Sequence, residues 1–600
     1  MGSLSCSAIT SLQVLVGILN AFFKTQTPAD LSSPAKLRDG ETFDFIIAGG
    51  GTAGCVLASR LSEVPDWKVL LLEAGGEEPL EADIPAFGQN LKLSALDWQY
   101  WTQPQNTSCG GEACQWPRGK VLGGSSTIND MIYNRGNRLD YDHWSDLGNV
   151  GWDYENGVLP YFKKSEDNLD PDIARDIKYH SVGGYQSVGR FPYTDENVPN
   201  IIKGFQELGY KRVDFNGPHV TGVMHLQATQ YKGERRSTNG AYLEPVRRLR
   251  NNIRVITNVR VTKILIDKGT KVAHGVEYVG EKDRRFRGKV YAKNDIIVSS
   301  GSINSPQLLM LSGIGPKETL ETLNIPVIKD LKVGHNLHDH IGAFAVNYFV
   351  GNSTRPNSSR DFFRDATLYS RNQRTGPWSG IGSLSVVAYT NSRYANKSMD
   401  YPDIQFSTIP SVADSRDSGF CDVDVAVPWC YYNRITFMPA VLRPKCRGYL
   451  TINSSDPFAR PLIYPNSFCD HQDLDVISDG FKAAVKLADT KVFKDNDFRL
   501  DKTPPAGCSH LQFGTDDYWV CAAIQTTHSN YHPVGTCKMG PPTDPDAVVD
   551  PQLRVYGVKR LRVIDSSIMP VITSGNTNAP SIMIGEKGAD IVKKSYGIKL

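Results

Sequence analysis

The 600-residue chain carries almost no net charge: 66 basic residues stand against 64 acidic ones, leaving +2. That balance argues against a nucleic-acid partner or an acidic surface as ligand. Internal repeats and long low-complexity tracts are absent, so the chain does not read as a repeat array. It holds no Cys-x-x-Cys and no Cys/His spacing of the zinc kind. Long hydrophobic runs are lacking too, with one exception. Ala8 to Phe23 is apolar apart from scattered Ser, Thr, Gln and Asn, and is densest from Leu12 to Phe23. It has the length of a signal-peptide core and is short for a membrane span. Even here a basic start is missing, since the first cation is Lys24, and no clean small-x-small cleavage site follows. The favoured reading of residues 1–25 is a signal peptide, with a retained anchor or a packed terminal helix as alternatives.

Hydrophobic content of 40% with 22% charged residues describes a globular chain, and this length suggests two or three structural units. Two features agree with a secreted, extracellular glycoprotein. Asn106, Asn352, Asn357, Asn396 and Asn453 each open an N-x-Ser/Thr sequon. Among the eleven cysteines, Cys109 and Cys114 flank a Gly-Gly turn and could close a small disulfide. Cys421, Cys430, Cys446, Cys469, Cys508 and Cys521 cluster later, with a pairing that sequence leaves open. Cys55 reads as buried packing.

The chain is organised around Phe43 to Gly54, FDFIIAGGGTAG. A compact apolar run marks a buried parallel strand. Glycines at 49, 51 and 54 follow, then a helix from Ala53 to Leu61, then a strand from Lys68 to Glu73. Strand, glycines, helix, strand and terminal acid, in that order, form the dinucleotide fingerprint in its required context. The Gly49, Gly51, Thr52, Ala53 and Gly54 turn would bring backbone N–H groups to a pyrophosphate. Glu73 would accept hydrogen bonds from ribose hydroxyls. Further on, WPRGKVLGGSSTIN at 116–129 gathers glycines, hydroxyls and main-chain N–H groups against which a phosphate or flat ring could lie. Arg254 to Ile266 alternates like strand, and Asp295 to Ser299 returns to a buried strand before a short helix within 301–315. Residues 341 to about 525 read as strand-like runs between polar loops, with an amphipathic helix over Asp473 to Leu487. A last helix begins at about Ser581.

Five stretches in order resemble the glucose–methanol–choline (GMC) oxidoreductase family: the fingerprint, GKVLGGSSTIN at 119–129, GSINSPQLLMLSGIG at 301–315, YHPVGTCKMG at 531–540 and RVIDSSIMPVITSGNTNAPSIMIGEKGAD at 562–590. The flanking wording is similar to its insect branch. The resemblance implies an α/β plus α+β architecture: a discontinuous Rossmann-like FAD-binding lobe and a substrate lobe built on a large antiparallel sheet. The expected bounds are 41–335 for the FAD lobe, with part of the substrate lobe inserted near 150–220. The substrate lobe proper would span 336–525, and 526–600 would return to the FAD lobe with the catalytic pair. By motif position, Val121, Gly124, Asn129, Asp130, Met131 and Ile132 would lie along the flavin, Val259 at adenine, and Asp565 near the pyrophosphate and ribityl chain.

The implied reaction oxidises an alcohol by hydride transfer to flavin N5. A neutral imidazole can take the hydroxyl proton, and His532 matches the family base. A second group must hold the alcohol oxygen as it gains charge. Asn578 is ranked first for this role and Asn576 second. Ile128 stands where some relatives carry the histidine that binds flavin covalently, so noncovalent FAD is expected. His335, His338 and His340 resemble a metal cluster only superficially; no metal is expected, and His528 reads as structural. The electron acceptor is quinone-like or oxygen. The competing readings are an FAD-containing hydroxynitrile lyase or a non-redox flavoprotein of the same fold.

Overall fold

The computed structural model describes residues 37–355, 359–370, 373–413 and 428–599. The N-terminal run, the Asn357 sequon and Cys421 lie outside the described residues.

Phe45–Ala48 and Val69–Leu72 are buried along their whole length. Strands covered on both faces need no polar alternation, which is why both read as continuous apolar runs. They lie at the centre of a five-stranded parallel sheet whose spatial order is Ile253–Ile256, Val69–Leu72, Phe45–Ala48, Ile296–Val298 and Leu561–Val563. Strands from three distant parts of the chain therefore meet in one layer. The helix Thr52–Leu61 crosses between the first two strands, and the terminal helix Asn578–Ser595 packs on it. The approach is close: a Cβ on Gly585 would sit 2.9 Å from Val56. Arg60 clasps the two helices, its Nε and Nη2 each donating to the Glu586 carboxylate at 2.8 Å. Beside this sheet stands a four-stranded one, Glu41–Phe43, Arg287–Ala292, Ala273–Gly280 and Val259–Ile266 in spatial order.

The other lobe carries the large antiparallel sheet. Gly222–His225, Val386–Thr390, Ile404–Ser411, Arg434–Val441, Val346–Phe349 and Arg499–Asp501 follow one another across it. Ile341–Ala343 joins Arg434–Val441 to Thr527–Ser529. The central pair runs in unbroken register from Ile404 against Val441 to Ser411 against Arg434. One face packs on the helices Val198–Glu207 and His471–Val485 through a core that includes Ile201, Phe205, Ile477 and Phe481. The lobe boundaries differ in detail from the sequence expectation. Gly222–His225 and Thr527–Ser529 both belong to this sheet. The hairpin of Tyr449–Thr451 and Leu462–Tyr464, inside 336–525, puts Leu450 and Ile463 into the core of the parallel-sheet lobe. Disulfides join Cys109 to Cys114, Cys446 to Cys469 and Cys508 to Cys521. Among the described residues no helix is long and apolar enough to cross a membrane.

Candidate active site

A cleft over the parallel sheet is lined by Glu73 and Val259 and, further along, by His532 and Asn576. Its floor is the C-terminal edge of the parallel sheet, where ligands of open α/β sheets bind. Three helices of ten residues or more begin on it, at Thr52, Gly301 and Asn578. Their positive dipole ends suit an anionic group, and at Gly301 the Asp565 carboxylate already takes the first N–H.

The glycines of the fingerprint divide the work. Gly49 has φ +109°, and a Cβ on it would lie 2.4 Å from the Ser299 carbonyl oxygen. On Gly54 it would lie 2.0 Å from the carbonyl oxygen of Gly49. Both are required by the packing of strand, turn and helix. Gly51 is different, because a Cβ there would meet only the Cα of Gly124, at 3.9 Å. It faces the open cleft and leaves room for something that is not protein.

Glu73 fits a diol. Each of its carboxylate oxygens accepts one main-chain N–H, from Gly50 and Gly75 at 2.7 Å, and each keeps a free lone pair. Burial pushes its carboxyl up. Asp565 organises the second helix start: Oδ2 accepts from Gly301 N–H at 2.9 Å and the Ser305 hydroxyl at 2.6 Å, while Oδ1 accepts from Ser567 N–H at 2.8 Å. Gly124, Asn129, Asp130, Met131, Ile132 and Val259 line the cleft with Gly49, Gly51, Thr52, Ala53, Glu73 and Asp565. Two expected residues do not line it. Gly54 faces the turn behind it, and Val121 is fully buried, bridged to Gly76. Both support the cradle from behind. The residues present thus fit a dinucleotide: a glycine cradle on a helix start, an acid for the ribose, and a long slot beyond.

At the far end the histidine is set by a break in strand pairing. Ile341–Ala343 pairs antiparallel with Thr527–Ser529, and Asn530 N–H still donates to His340 C=O at 3.0 Å. Tyr531 then takes φ +62°, and pairing resumes at His338 with Val534. His532 lies in the interruption and lines the cleft. Its main-chain N–H donates to Asp339 Oδ1 at 2.9 Å, and Asp339 Oδ2 accepts from the Ser529 hydroxyl. His532 Nδ1 stands 3.0 Å from His340 Nδ1, and Nε2 stands 3.3 Å from the Asn576 amide nitrogen. Burial, then His340, Arg118 and Lys92, hold its imidazole well below the ordinary value. It is therefore neutral at pH 7 and can accept a proton. Burial raises the Asp339 carboxyl to about 6 against the pull of Ser529, the His532 N–H and Arg118.

Of the two asparagines, Asn576 is the one within hydrogen-bond reach of His532. Asn578 lines the cleft as the first residue of the terminal helix, which begins three residues earlier than expected. Asn576 precedes the helix, in a loop anchored by Ser574, whose N–H and hydroxyl both donate to Asp140 at 2.7 Å. The anchored loop presents Asn576, not Asn578, to His532. Its Oδ1 accepts from Gln405 Nε2 at 3.1 Å. The three histidines at 335, 338 and 340 divide as well: His335 stacks on Tyr449 with ring centroids 6.1 Å apart, and His340 meets His532. His338 makes a main-chain clamp, with Nδ1 2.7 Å from the Asn336 carbonyl oxygen and Nε2 accepting from Ile572 N–H at 2.9 Å. His528 stands against Phe344 with ring centroids 4.5 Å apart. Among the described residues no group of three or more His, Cys, Asp or Glu side chains is placed to hold a metal. Sequence reasoning missed His340, Asp339 and Gln405 as neighbours of the site. The NLHDH run at 336–340 was visible, but only the register of the interrupted pairing brings His340 to His532.

Comparison with known proteins agrees with this geometry. Two family models, both described as GMC oxidoreductase, match residues 43–342 and 444–585. Glucose dehydrogenase [FAD, quinone] of Drosophila pseudoobscura pseudoobscura is 42% identical over 603 aligned residues, covering 98% of this chain and 94% of that one. Ecdysone oxidase of Bombyx mori is 37% identical, over 94% of this chain and 83% of that one. Among solved structures, an Aspergillus oryzae formate oxidase superposes with TM-score 0.82 at 27% identity, covering 93% of this chain and 99% of that one.

Proposed function

This chain belongs to the GMC oxidoreductase family, FAD-dependent enzymes that act on CH–OH donors, and on that premise we propose that it oxidises an alcohol with His532 as base and Asn576 as its partner. The observation that carries the proposal is the pair itself. A buried neutral imidazole nitrogen and an amide N–H face one another at 3.3 Å in the end of the cleft. An alcohol oxygen placed on the cleft side of the pair, within hydrogen-bond reach of both nitrogens, would lose its proton to His532 Nε2 and receive a hydrogen bond from Asn576. Withdrawing that proton raises the hydridic character of the carbinol C–H, and a donor fixed on the developing charge lowers the barrier without reorganising. Bound FAD supplies the hydride acceptor. Burial also keeps bulk water from competing for the proton.

FAD is held noncovalently in this proposal, by the glycine cradle, Glu73 and the helix starts at Thr52 and Gly301. Ile128, which lines the cleft, offers no nucleophile. Electrons pass on to a quinone-like acceptor or to oxygen. Lys92 and Asp130, paired at 2.8 Å, line the cleft together with Asn530 and Tyr531. A wall with that many polar groups suits a substrate with further hydroxyls or other hydrogen-bonding groups, in keeping with relatives named for glucose and ecdysone. Secretion is supported by the three disulfides, which persist in oxidising compartments. The test is an anaerobic titration of the holoenzyme with D-glucose, choline, benzyl alcohol and a sterol alcohol, read at the flavin absorbance. Bleaching by one class identifies the substrate, and colour returning in air with peroxide identifies oxygen as acceptor. A yellow protein that no alcohol bleaches contradicts the proposal.

A further inference from the structure

His532 and Asn576 are only two members of a chain of four side chains, Gln405–Asn576–His532–His340, with successive contacts of 3.1, 3.3 and 3.0 Å. Gln405 and His340 are fully buried and belong to the substrate lobe, Gln405 in the strand Ile404–Ser411 and His340 just before Ile341–Ala343. Neither lines the cleft. Resting on the function proposed above, we propose that His340 and Gln405 are positioning residues that impose one hydrogen-bond polarity on the catalytic pair, leaving His532 Nε2 as the unprotonated, proton-accepting nitrogen.

The polarity follows from valence. Two imidazole Nδ1 atoms at 3.0 Å form a hydrogen bond only if one carries hydrogen and the other does not. Gln405 Nε2 donates to Asn576 Oδ1, which turns the Asn576 amide nitrogen toward His532 Nε2. Asn576 is thereby the donor and His532 Nε2 the acceptor. His532 must then be the Nδ1–H tautomer, donating to His340 Nδ1, which is left as a lone pair. When the alcohol proton arrives on Nε2, His532 becomes an imidazolium whose Nδ1–H already has a neutral acceptor. A neutral His340 stabilises that cation without forming an ion pair that would hold His532 protonated beforehand.

The test uses holoenzyme with 15N-labelled histidine, in which protonated and unprotonated ring nitrogens resonate far apart, His532 being assigned by the His532→Gln variant. The wild type should show His532 protonated at Nδ1 and bare at Nε2. In His340→Asn the amide oxygen can take the place of the Nδ1 lone pair, so the pattern should persist, with flavin reduction by the fastest alcohol of the panel within about threefold of wild type. In His340→Leu the acceptor is gone. The tautomers should mix and flavin reduction should fall at least about tenfold, part of the ~10²–10⁴ that a whole general base supplies, with FAD content unchanged. Gln405→Glu, which offers Asn576 no N–H, should also slow reduction. A wild-type His532 protonated at Nε2 overturns the proposal, as does equal behaviour of His340→Asn and His340→Leu. The tautomer is read whether or not any alcohol is oxidised, so failure of the functional proposal is distinguished from failure of this one.

Discussion

Gly51→Ala separates what the fold needs from what the cofactor needs. Gly51 has φ −78° and ψ −163°, an extended conformation open to any residue. Its added methyl would have only Gly124 Cα, at 3.9 Å, as a neighbour. The apoprotein should therefore keep its stability to within about 1 kcal/mol, the scale of a helix-cap change. With a pyrophosphate in the cradle the same methyl occupies space the ligand needs. Overpacking of this kind costs about 1–3 kcal/mol, and at about 1.4 kcal/mol per decade the FAD dissociation constant should rise roughly five- to 150-fold. Gly54→Ala is the contrast. Its methyl would lie 2.0 Å from the Gly49 carbonyl oxygen, so helix and turn must part by more than an ångström even without ligand. That variant should lose stability as apoprotein. Thermal unfolding of both apoproteins, and FAD titration by quenching of flavin fluorescence, check the two halves. Wild-type FAD affinity in Gly51→Ala would refute the phosphate cradle.

His532→Ala should keep FAD and lose about 10²–10⁴ in flavin reduction, and normal turnover would remove His532 as base. Asn576→Ala should cost about 10²–10³ in kcat, as for an oxyanion donor, while Asn578→Ala costs less; the opposite order would restore Asn578 to the role. Because the folded His532 is held well below its ordinary value, it stays neutral as pH falls through 6.5. The first loss of activity on acidification should come near 6, where the buried Asp339 carboxyl takes a proton, and Asp339→Asn should abolish that limb. A limb that persists in Asp339→Asn assigns it elsewhere. Arg135→Met would leave Glu166, fully buried and paired with Arg135 at 2.9 Å, without its guanidinium, and should destabilise the protein by about 3–5 kcal/mol in denaturant unfolding.

The cofactor end was legible in the sequence because its chemistry is local. Strand, glycines, helix, strand and acid lie within 31 residues, from Phe43 to Glu73, and each signals through composition alone. The substrate end is not local. Asn576 and Asn578 differ by two positions, and which one meets His532 depends on where the terminal helix starts and on the Asp140 anchor of the preceding loop. No periodicity fixes either. Gln405 reaches the site only through the strand register that sets Gln405 opposite Ala440. His340 reaches it through an interruption of pairing at Tyr531, whose positive φ has no sequence signal of the kind a glycine gives. Gly54 and Val121 hold their motif positions beside the cradle, and in the structure they pack behind the cleft lining.

The most direct test of the account is stopped-flow, anaerobic reduction of the bound flavin by the alcohol that bleaches it fastest, beside the same alcohol deuterated at the carbinol carbon, in wild type and His532→Ala. The account predicts flavin bleaching in wild type that deuterium slows, and bleaching slower by about 10²–10⁴ in the variant at equal FAD content. Bleaching indifferent to both deuterium and His532 would contradict it.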